Sequence, residues 1–243
     1  MKQISLLLSI VILSAVLCSC YFRPNTINGD GNIITKEIQI KDYEQLEIEL
    51  NNVELIYQQS EDTPILKIET DQNIMDIIDI EQEGKELTLK HQREFTQTTP
   101  TYLIITTNST KLKELALAGS GIYNLGEGIF GEELEIKLAG NCRVQADSII
   151  VNDLDCKIAG KGELYLNGNV KETNIESAGN SQIEAFGLHT DILECEIAGR
   201  SHIEITVNQQ ITAQIAGKAD ILYKGDPKIT QQSIGKGSIK QVK

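Results

Sequence analysis

The sequence predicts an all-β protein, a right-handed parallel β-helix with a less regular, β-rich N-terminal region. Three observations support this prediction. A short motif such as LAGSG or IAGKG recurs seven times, apolar and polar residues alternate around each copy, and no segment between copies is long enough for a crossover helix. The motif glycines follow one another at intervals of 18–21 residues, at Gly119, Gly140, Gly160, Gly179, Gly199, Gly217 and Gly235. Such a period is typical of stacked coils.

The residues around each motif glycine form columns when the repeats are aligned. With the glycine as position zero, positions −4, −2 and +4 are mainly apolar, whereas positions −3, +3 and +5 are mainly polar. This alternation is the period of a β-strand with one buried face. Each repeat is therefore predicted to form a strand, a bend and a second strand, and successive repeats to pair about 4.8 Å apart.

Small residues occupy the bend of every repeat. The glycine at position zero and the small residue at position +2 are predicted to face inward, because a larger side chain would collide with the neighbouring coil. Phosphate-binding glycine loops lead into a helix, whereas these glycines lead into strands, which favours a structural corner. The sequence leaves open whether the alanine at position −1 faces inward or outward. These alanines are Ala118, Ala139, Ala159, Ala178, Ala198 and Ala216.

The region before the first motif keeps the strand pattern without the motif. Residues 34–112 contain segments such as QLEIELNNVELIYQ and KELTLK, which are typical of strands. We expect this region to be the β-rich N-terminal part of the solenoid and to cap its first coil, with a seven-repeat β-helix over residues 113–243. The segment NIMDIIDI fits either a short helical turn or a pair of strands.

The N-terminus has the pattern of an export signal. An apolar run extends from Ile4 to Leu17, which is too short to span a membrane comfortably, so residues 1–19 are predicted to be a signal peptide. The run ends in LCSC, which resembles a bacterial lipobox, and Cys20 is therefore the predicted site of lipid attachment. Residues 20–33 would form a lipidated tether, and Tyr21 after the cysteine favours the outer membrane. The alternative is a plain signal peptide with two incidental cysteines.

Several segments together resemble one known family. The strand pair YEQLEIELNNVELIYQQ, followed by the LALAGSG and IAGKG repeats, is similar to the head GIN domain family, whose members are described as auto-transporter adhesins. The resemblance covers most of the chain after the predicted signal. It implies a β-helical envelope protein exported from Gram-negative cells, often as a lipoprotein. The name of the family implies adhesion only as a label, and the resemblance implies no catalytic residues.

Carboxylates recur at the same column in neighbouring repeats. A pair of carboxylates about 5 Å apart can act in a retaining glycosidase or bind calcium. Like charges stacked in two unrelated columns are, however, more typical of a solvated face, so we expect no catalytic residue. The pairs in neighbouring repeats are Glu184 with Glu204 and Glu176 with Glu196, and Glu163 and Asp220 lie two positions away from the first pair, in column +3.

The histidines and cysteines show no ligand spacing. Zinc sites need convergent His, Cys or carboxylate ligands, and His91, His189 and His202 share no spacing, so we expect no metal site and no cofactor. Cys156 and Cys195 share column −4 but are two repeats apart, farther than a disulfide allows. We therefore expect free thiols, and the same is expected of Cys142.

Charge and composition limit the possible partners. The formal net charge is −13 and no basic stripe accompanies it, which argues against nucleic acid. The sequence therefore predicts a non-catalytic outer-membrane lipoprotein, held at the membrane by lipid at Cys20, that presents a β-helical face to a surface glycan or protein. Two alternatives stay open: a carbohydrate-active β-helix enzyme (polysaccharide lyase or hydrolase) and a polymerising envelope scaffold.

Overall fold

The computed structural model describes residues 26–92, 97–126 and 128–242. The predicted signal peptide and Cys20 lie outside these residues. The described chain is almost entirely β-strand, so the all-β class is confirmed. Its elements are β1 (Thr26–Asn28), β2 (Ile33–Gln39), β3 (Gln45–Glu49), β4 (Val53–Gln59), β5 (Ile65–Asp71), α1 (Gln72–Met75), β6 (Ile78–Glu83), β7 (Glu86–His91), β8 (Gln97–Thr99), β9 (Leu103–Ser109), β10 (Glu114–Asn124), β11 (Ile129–Phe130), β12 (Glu133–Lys224) and β13 (Lys228–Gln241).

The predicted right-handed parallel β-helix is wrong, because the main sheet is mixed. Its strands follow the order β2-β5-β9-β4-β10-β3-β7-β6, with β11, β12 and β13 branching from this path. The pairs β2–β5, β5–β9 and β6–β7 are antiparallel, whereas β3, β4, β7 and β9 join the path through parallel pairs. The result is a curled half-barrel rather than a solenoid.

A tight turn explains one of the antiparallel pairs. Only Gly84 and Lys85 separate β6 from β7, and Glu83 pairs with Glu86 across them. A two-residue connection can join only antiparallel strands. Gly84 has a φ of 60°, which glycine adopts without a steric penalty and which tight hairpins require. Upstream of this hairpin, NIMDIIDI contains α1 followed by β6, so the helical-turn interpretation holds for its first half.

The motif repeats pair with one another in parallel and in the register of the columns. Gly119 of β10 lies opposite Gly140 of β12, and Gly217 of β12 lies opposite Gly235 of β13. The residues on either side continue this pairing over eleven positions at the first junction and fourteen at the last. A column of the aligned sequence is therefore a row of neighbouring side chains on the sheet.

The inward columns form the core, as the alternation predicts. Positions −4, −2 and +4 are buried in each of the first six repeats. Burying a Leu or Ile side chain contributes about 1.5–3 kcal/mol, so these columns are the main source of stability in this half of the molecule. In the seventh repeat, exposed Gln231 and Ser233 replace the apolar residues of columns −4 and −2. In these two columns the last row is thus polar, and Ile229 and Ile234 are exposed elsewhere on it.

The described cysteines Cys142, Cys156 and Cys195 are all buried free thiols. Burial raises the pKa of the Cys142 thiol to about 11 and the pKa values of Cys156 and Cys195 to about 12. Because the thiolate is the reactive form, these groups are unreactive at neutral pH and serve as core packing.

Buried tyrosines differ in how their hydroxyls are satisfied. The Tyr57 hydroxyl lies 2.8 Å from the Ser109 hydroxyl, and the Tyr43 hydroxyl lies 3.0 Å from that of Thr107. The buried Tyr123 hydroxyl has no such oxygen partner among the described residues, and the group beside it is the Cys142 thiol. A thiol is a weak hydrogen-bonding group, so the desolvation cost of this hydroxyl is poorly compensated.

We therefore expect opposite results from two Tyr→Phe substitutions. Tyr123→Phe should leave the free energy of unfolding unchanged or raise it by up to about 1 kcal/mol, whereas Tyr57→Phe should lower it by about 1 kcal/mol. Urea denaturation of both variants measures the difference. An equal loss in both would show that the Tyr123 hydroxyl has a partner in solution.

Candidate binding surface

The motif glycines build a continuous corner along the sheet. All seven have positive φ, from 111° at Gly160 to 144° at Gly179. From Gly140 onward, a Cβ atom at each of them would meet the backbone of the glycine one repeat earlier. The motif therefore recurs because the backbones of adjacent repeats approach closely here. Inside the corner, the position +2 hydroxyls of Ser181 and Ser201 lie 2.6 Å apart, and both residues are buried as predicted.

The alanine column faces outward, which settles the orientation that the sequence leaves open. Five of its six alanines are exposed, and Ala118 is half-buried. They line an open groove of about 1000 Å³ that extends across all seven repeats, and we name it the alanine groove. Ile234 takes the alanine position in the last repeat and is 85% exposed at the end of this groove.

One wall of the alanine groove is the column at position −3, and its two lysines are held by carboxylates. Lys137 lies 2.7 Å from Glu114 and 3.0 Å from Glu135, and Lys157 lies 2.7 Å from Glu135. Partial burial raises the pKa of Glu135, but the hydrogen bonds from Lys157 and Lys137 outweigh it, so the pKa is lowered overall. The wall continues with Glu176, Glu196, Gln214 and Gln232.

A second groove lies on the other side of the glycine corner. It has a volume of about 400 Å³, and we name it the corner groove. Positions +1 and +3 of several repeats supply its polar side chains. These are Lys161, Glu163, Asn180, Gln182, Arg200, His202, Lys218 and Asp220.

The two carboxylates of the corner groove are held in their ionised form. Hydrogen bonds from Lys161 and Arg143, at 2.8 and 2.6 Å, lower the pKa of Glu163. A hydrogen bond from the Ser238 hydroxyl, at 2.7 Å, is the largest cause of the lowered pKa of Asp220. The general acid of a glycosidase needs a raised pKa, so neither group has the protonation that this role requires.

The other sequence candidates are surface groups with local partners. Glu184 accepts a hydrogen bond from Gln182 at 2.7 Å, and His202 lies 3.3 Å from Glu204. Glu176 and Glu196 lie on the wall of the alanine groove. No group of three His, Cys, Asp or Glu side chains within the described residues is arranged to hold a metal ion.

The structure adds an acidic pocket that the sequence interpretation missed. It has a volume of about 490 Å³, and strands β3, β6 and β7 supply most of its lining. Burial, together with the neighbouring Glu49 and Glu86, raises the pKa of Glu47. His91 borders the same pocket, and burial lowers its pKa. The signal was two acidic strands, QLEIE and IDIEQE, whose proximity becomes visible only once β3 and β6 are both known to pair with β7.

Residues 42–227 match the family model described as "Putative auto-transporter adhesin, head GIN domain". The match covers most of the chain, including every motif glycine except the last. The chain belongs to the head GIN domain family. This adhesin-like family indicates a cell-surface or envelope protein. Among the described residues, no helix of this GIN domain protein has the length and apolar character of a membrane span.

Solved structures of bacterial proteins share the fold. One, described as a "putative adhesin" from Parabacteroides merdae ATCC 43184, is 26% identical with a TM-score of 0.69 and covers 90% of this chain and 99% of its own. Another, described as a "putative lipid binding protein" from Parabacteroides distasonis ATCC 8503, is 29% identical with a TM-score of 0.69 over 90% and 100% of the two chains. A third, described as a "putative adhesin" from Bacteroides fragilis NCTC 9343, is 24% identical with a TM-score of 0.81 and covers 88% of this chain and 99% of its own. At this lower identity the similarity shows a shared fold and nothing more. No curated protein matches the chain.

Proposed function

We propose that the protein is a non-catalytic envelope lipoprotein that binds an extended glycan or protein on the outer face of its repeats. The observation that supports this most strongly is the alanine groove, which is open along its whole length and crosses every repeat. With rows about 4.8 Å apart, seven rows give a contact length of roughly 29 Å. A long, shallow surface of this kind suits many weak contacts with an extended partner rather than one deep anchor.

The two alternatives have weaker support. A carbohydrate-active enzyme would need an acid with a raised pKa in a groove, but the corner-groove carboxylates have lowered pKa values. Glu47, whose pKa is raised, borders both the acidic pocket and the first end of the alanine groove, and it is therefore the candidate acid that the enzyme hypothesis would have to use. A polymerising scaffold would need an extended apolar end, whereas the last repeat exposes Gln231 and Ser233 where earlier repeats bury apolar residues, and its exposed large apolar side chains are Ile229 and Ile234.

Charges placed in the alanine groove test the proposed surface. In the double variant Ala159→Arg with Ala198→Arg, two long cations would obstruct a floor of exposed methyl groups, and we expect binding to fall at least tenfold. The measurement is binding of the purified full chain, in mild detergent, to an array of envelope and host-type glycans. The matched control is Asn169→Arg with Gln209→Arg, which adds the same charge at exposed positions outside both grooves.

Two results would contradict this proposal. Equal binding by the wild type and the alanine-groove variant would show that the groove is not the contact surface. Cleavage of any polysaccharide by the wild type that disappears in Glu47→Gln would show instead that the protein is an enzyme acting through Glu47. None of the three substituted positions is buried in the core, so both variants are expected to fold.

The lipid anchor is the second part of the proposal. It rests on the lipobox-like LCSC before the tether, because Cys20 lies outside the described residues. When the full chain is expressed with a radiolabelled fatty acid, we expect the wild type to incorporate label and sediment with outer membranes. Cys20→Ser should incorporate none, whereas Cys18→Ser serves as the neighbouring control and should behave as the wild type. Equal labelling of all three proteins would refute the anchor.

A further inference from the structure

We propose that an extended anionic glycan binds along the corner groove and past its end, so that its acidic groups contact Arg200 and Lys218 of the groove lining and Lys236 of the next repeat. This inference rests on the proposed binding function but names a different groove and a ligand class. The three cations occupy position +1 of the last three repeats, immediately after the motif glycine. In the first four repeats the same column holds Ser120, Asn141, Lys161 and Asn180.

The charge of this column is opposite to that of the whole protein. The chain has a formal net charge of −13, yet none of the seven residues in column +1 is acidic and four are cationic. All four cations are exposed. Lys218 lies directly opposite Lys236 in the pairing of β12 with β13. Like charges facing each other across neighbouring strands destabilise a sheet, so an anion bound between them would relieve a repulsion that the fold tolerates.

Most of these cations have no carboxylate to neutralise them. Lysines on the other side of the corner, such as Lys137 and Lys157, are ion-paired at 2.7 Å. In the corner groove Lys161 is paired with Glu163 at 2.8 Å. Across the described part of the chain, no salt bridge involves Arg200, Lys218 or Lys236. None of the three charges is therefore tied up in a close ion pair, although the charge of Lys218 also acts on Asp220 and helps to lower the pKa of Asp220.

The other side chains of the groove are suited to sugar hydroxyls. Asn180, Gln182 and His202 can both donate and accept hydrogen bonds, and the ionised Asp220 is an acceptor. Arg200 can bind a carboxylate or sulfate through two parallel hydrogen bonds. The volume of about 400 Å³ lies within the usual range of ligand pockets. An arrangement of cations beside neutral hydrogen-bonding groups fits a chain of acidic and hydroxylated sugars.

The same groove fits other polyanions less well. Nucleic acid would bring closely spaced phosphates against the carboxylates of Glu163 and Asp220, and the groove lining contains no Phe, Tyr or Trp ring on which a base could stack. An anionic membrane surface would favour exposed apolar side chains beside the cations, and the groove lining offers none. The row spacing supports a linear ligand, since Arg200 and Lys236 are two rows, or about 10 Å, apart along the corner.

Titration calorimetry with defined polymers tests the proposal on the purified full chain in mild detergent. The probes are oligogalacturonate and a heparin oligosaccharide as acidic glycans, dextran as a neutral glycan, and vesicles containing phosphatidylglycerol. We expect the wild type to bind the acidic glycans and not dextran, with affinity falling as salt is raised. The triple variant Arg200→Gln, Lys218→Gln, Lys236→Gln should bind them at least tenfold more weakly.

A matched variant distinguishes a loss of affinity caused by the groove cations from one caused by the change in net charge. Lys36→Gln, Lys41→Gln, Lys67→Gln removes three exposed cations on and beside β2 and β5, and its affinity should stay within twofold of the wild type. Equal weakening in both triple variants, no weakening in either, or binding of vesicles but not of acidic glycans would overturn the inference. Glycan binding that is abolished only by the alanine-groove variant would overturn this inference while leaving the proposed function intact.

Discussion

Gly160→Val is expected to lower the free energy of unfolding by about 2–4 kcal/mol. Gly160 has a φ of 111°, a conformation that residues with a Cβ atom rarely adopt. A Cβ at this position would lie 2.6 Å from the carbonyl oxygen of Gly140, which is backbone and cannot rotate away. The substitution therefore adds backbone strain to a steric clash between two repeats.

The adjacent Ala159→Val is the matched control. Ala159 is exposed on a strand, where a β-branched side chain is well tolerated, and the change should stay within about 0.5 kcal/mol. Urea denaturation of the two variants and the wild type provides the comparison. A loss of similar size in both variants would show that the corner is sensitive to any added volume and that the glycine conformation is not the cause.

Much of the repeat region could be predicted because side-chain alternation is a local property of the chain. The buried columns at −4, −2 and +4 were predicted from the period alone. The orientation of the alanine column was left open because a bend can break the alternation. In the structure the alternation is interrupted at the corner: position −2 is buried, positions −1 and +1 are exposed, and position +2 is buried in the central repeats, whereas the glycine at position zero, predicted to face inward, is exposed or half-buried.

The N-terminal part was predicted wrongly because its pairing is not repetitive. The hairpin at Gly84 and Lys85 had a signal in EQEGKELTLK, a glycine between two strand-like runs. The antiparallel pairs of β5 with β2 and β9 join segments more than twenty-five residues apart, for which the sequence contains no local signal. The prediction extended the parallel pairing of the repeats into this region. In the structure the chain reverses direction there, and three of the strand pairs are antiparallel.

The candidate surfaces could be predicted only in part. The sequence shows which residues share a column, and so it identified the exposed carboxylates that line both grooves. It does not show the angle of the bend, which creates a groove on each side of the glycines. It also does not show which cations form ion pairs. Lys137 pairs with Glu114 of the preceding repeat, whereas Arg200 has no salt bridge among the described residues.

Asp71→Asn should lower the free energy of unfolding by about 2–3 kcal/mol at pH 7. The Asp71 carboxylate is fully buried and accepts hydrogen bonds from the Gly31 amide at 2.7 Å and from the amide and hydroxyl of Thr101 at 2.7 and 2.8 Å. It thereby connects the segment before β2, the end of β5 and the segment before β9. An asparagine would lose the charge of this acceptor and place an amide NH2 group against donors.

The loss of unfolding free energy in Asp71→Asn should depend on pH in a defined direction. Burial raises the pKa of Asp71, but the hydrogen bonds from Thr101 and Gly31 outweigh it, so the folded-state pKa lies below the ordinary value. The stabilisation is therefore complete above the unfolded-state pKa of about 3.9 and is lost as the pH falls through the lower folded-state value. Urea denaturation at pH 7 and near pH 3 should show that the difference in unfolding free energy between wild type and Asp71→Asn narrows in acid.

The control is Asp62→Asn, at an exposed position, which should change stability by less than about 0.5 kcal/mol at either pH. A gap that stays constant or widens in acid would contradict the assignment of a stabilising, ionised Asp71.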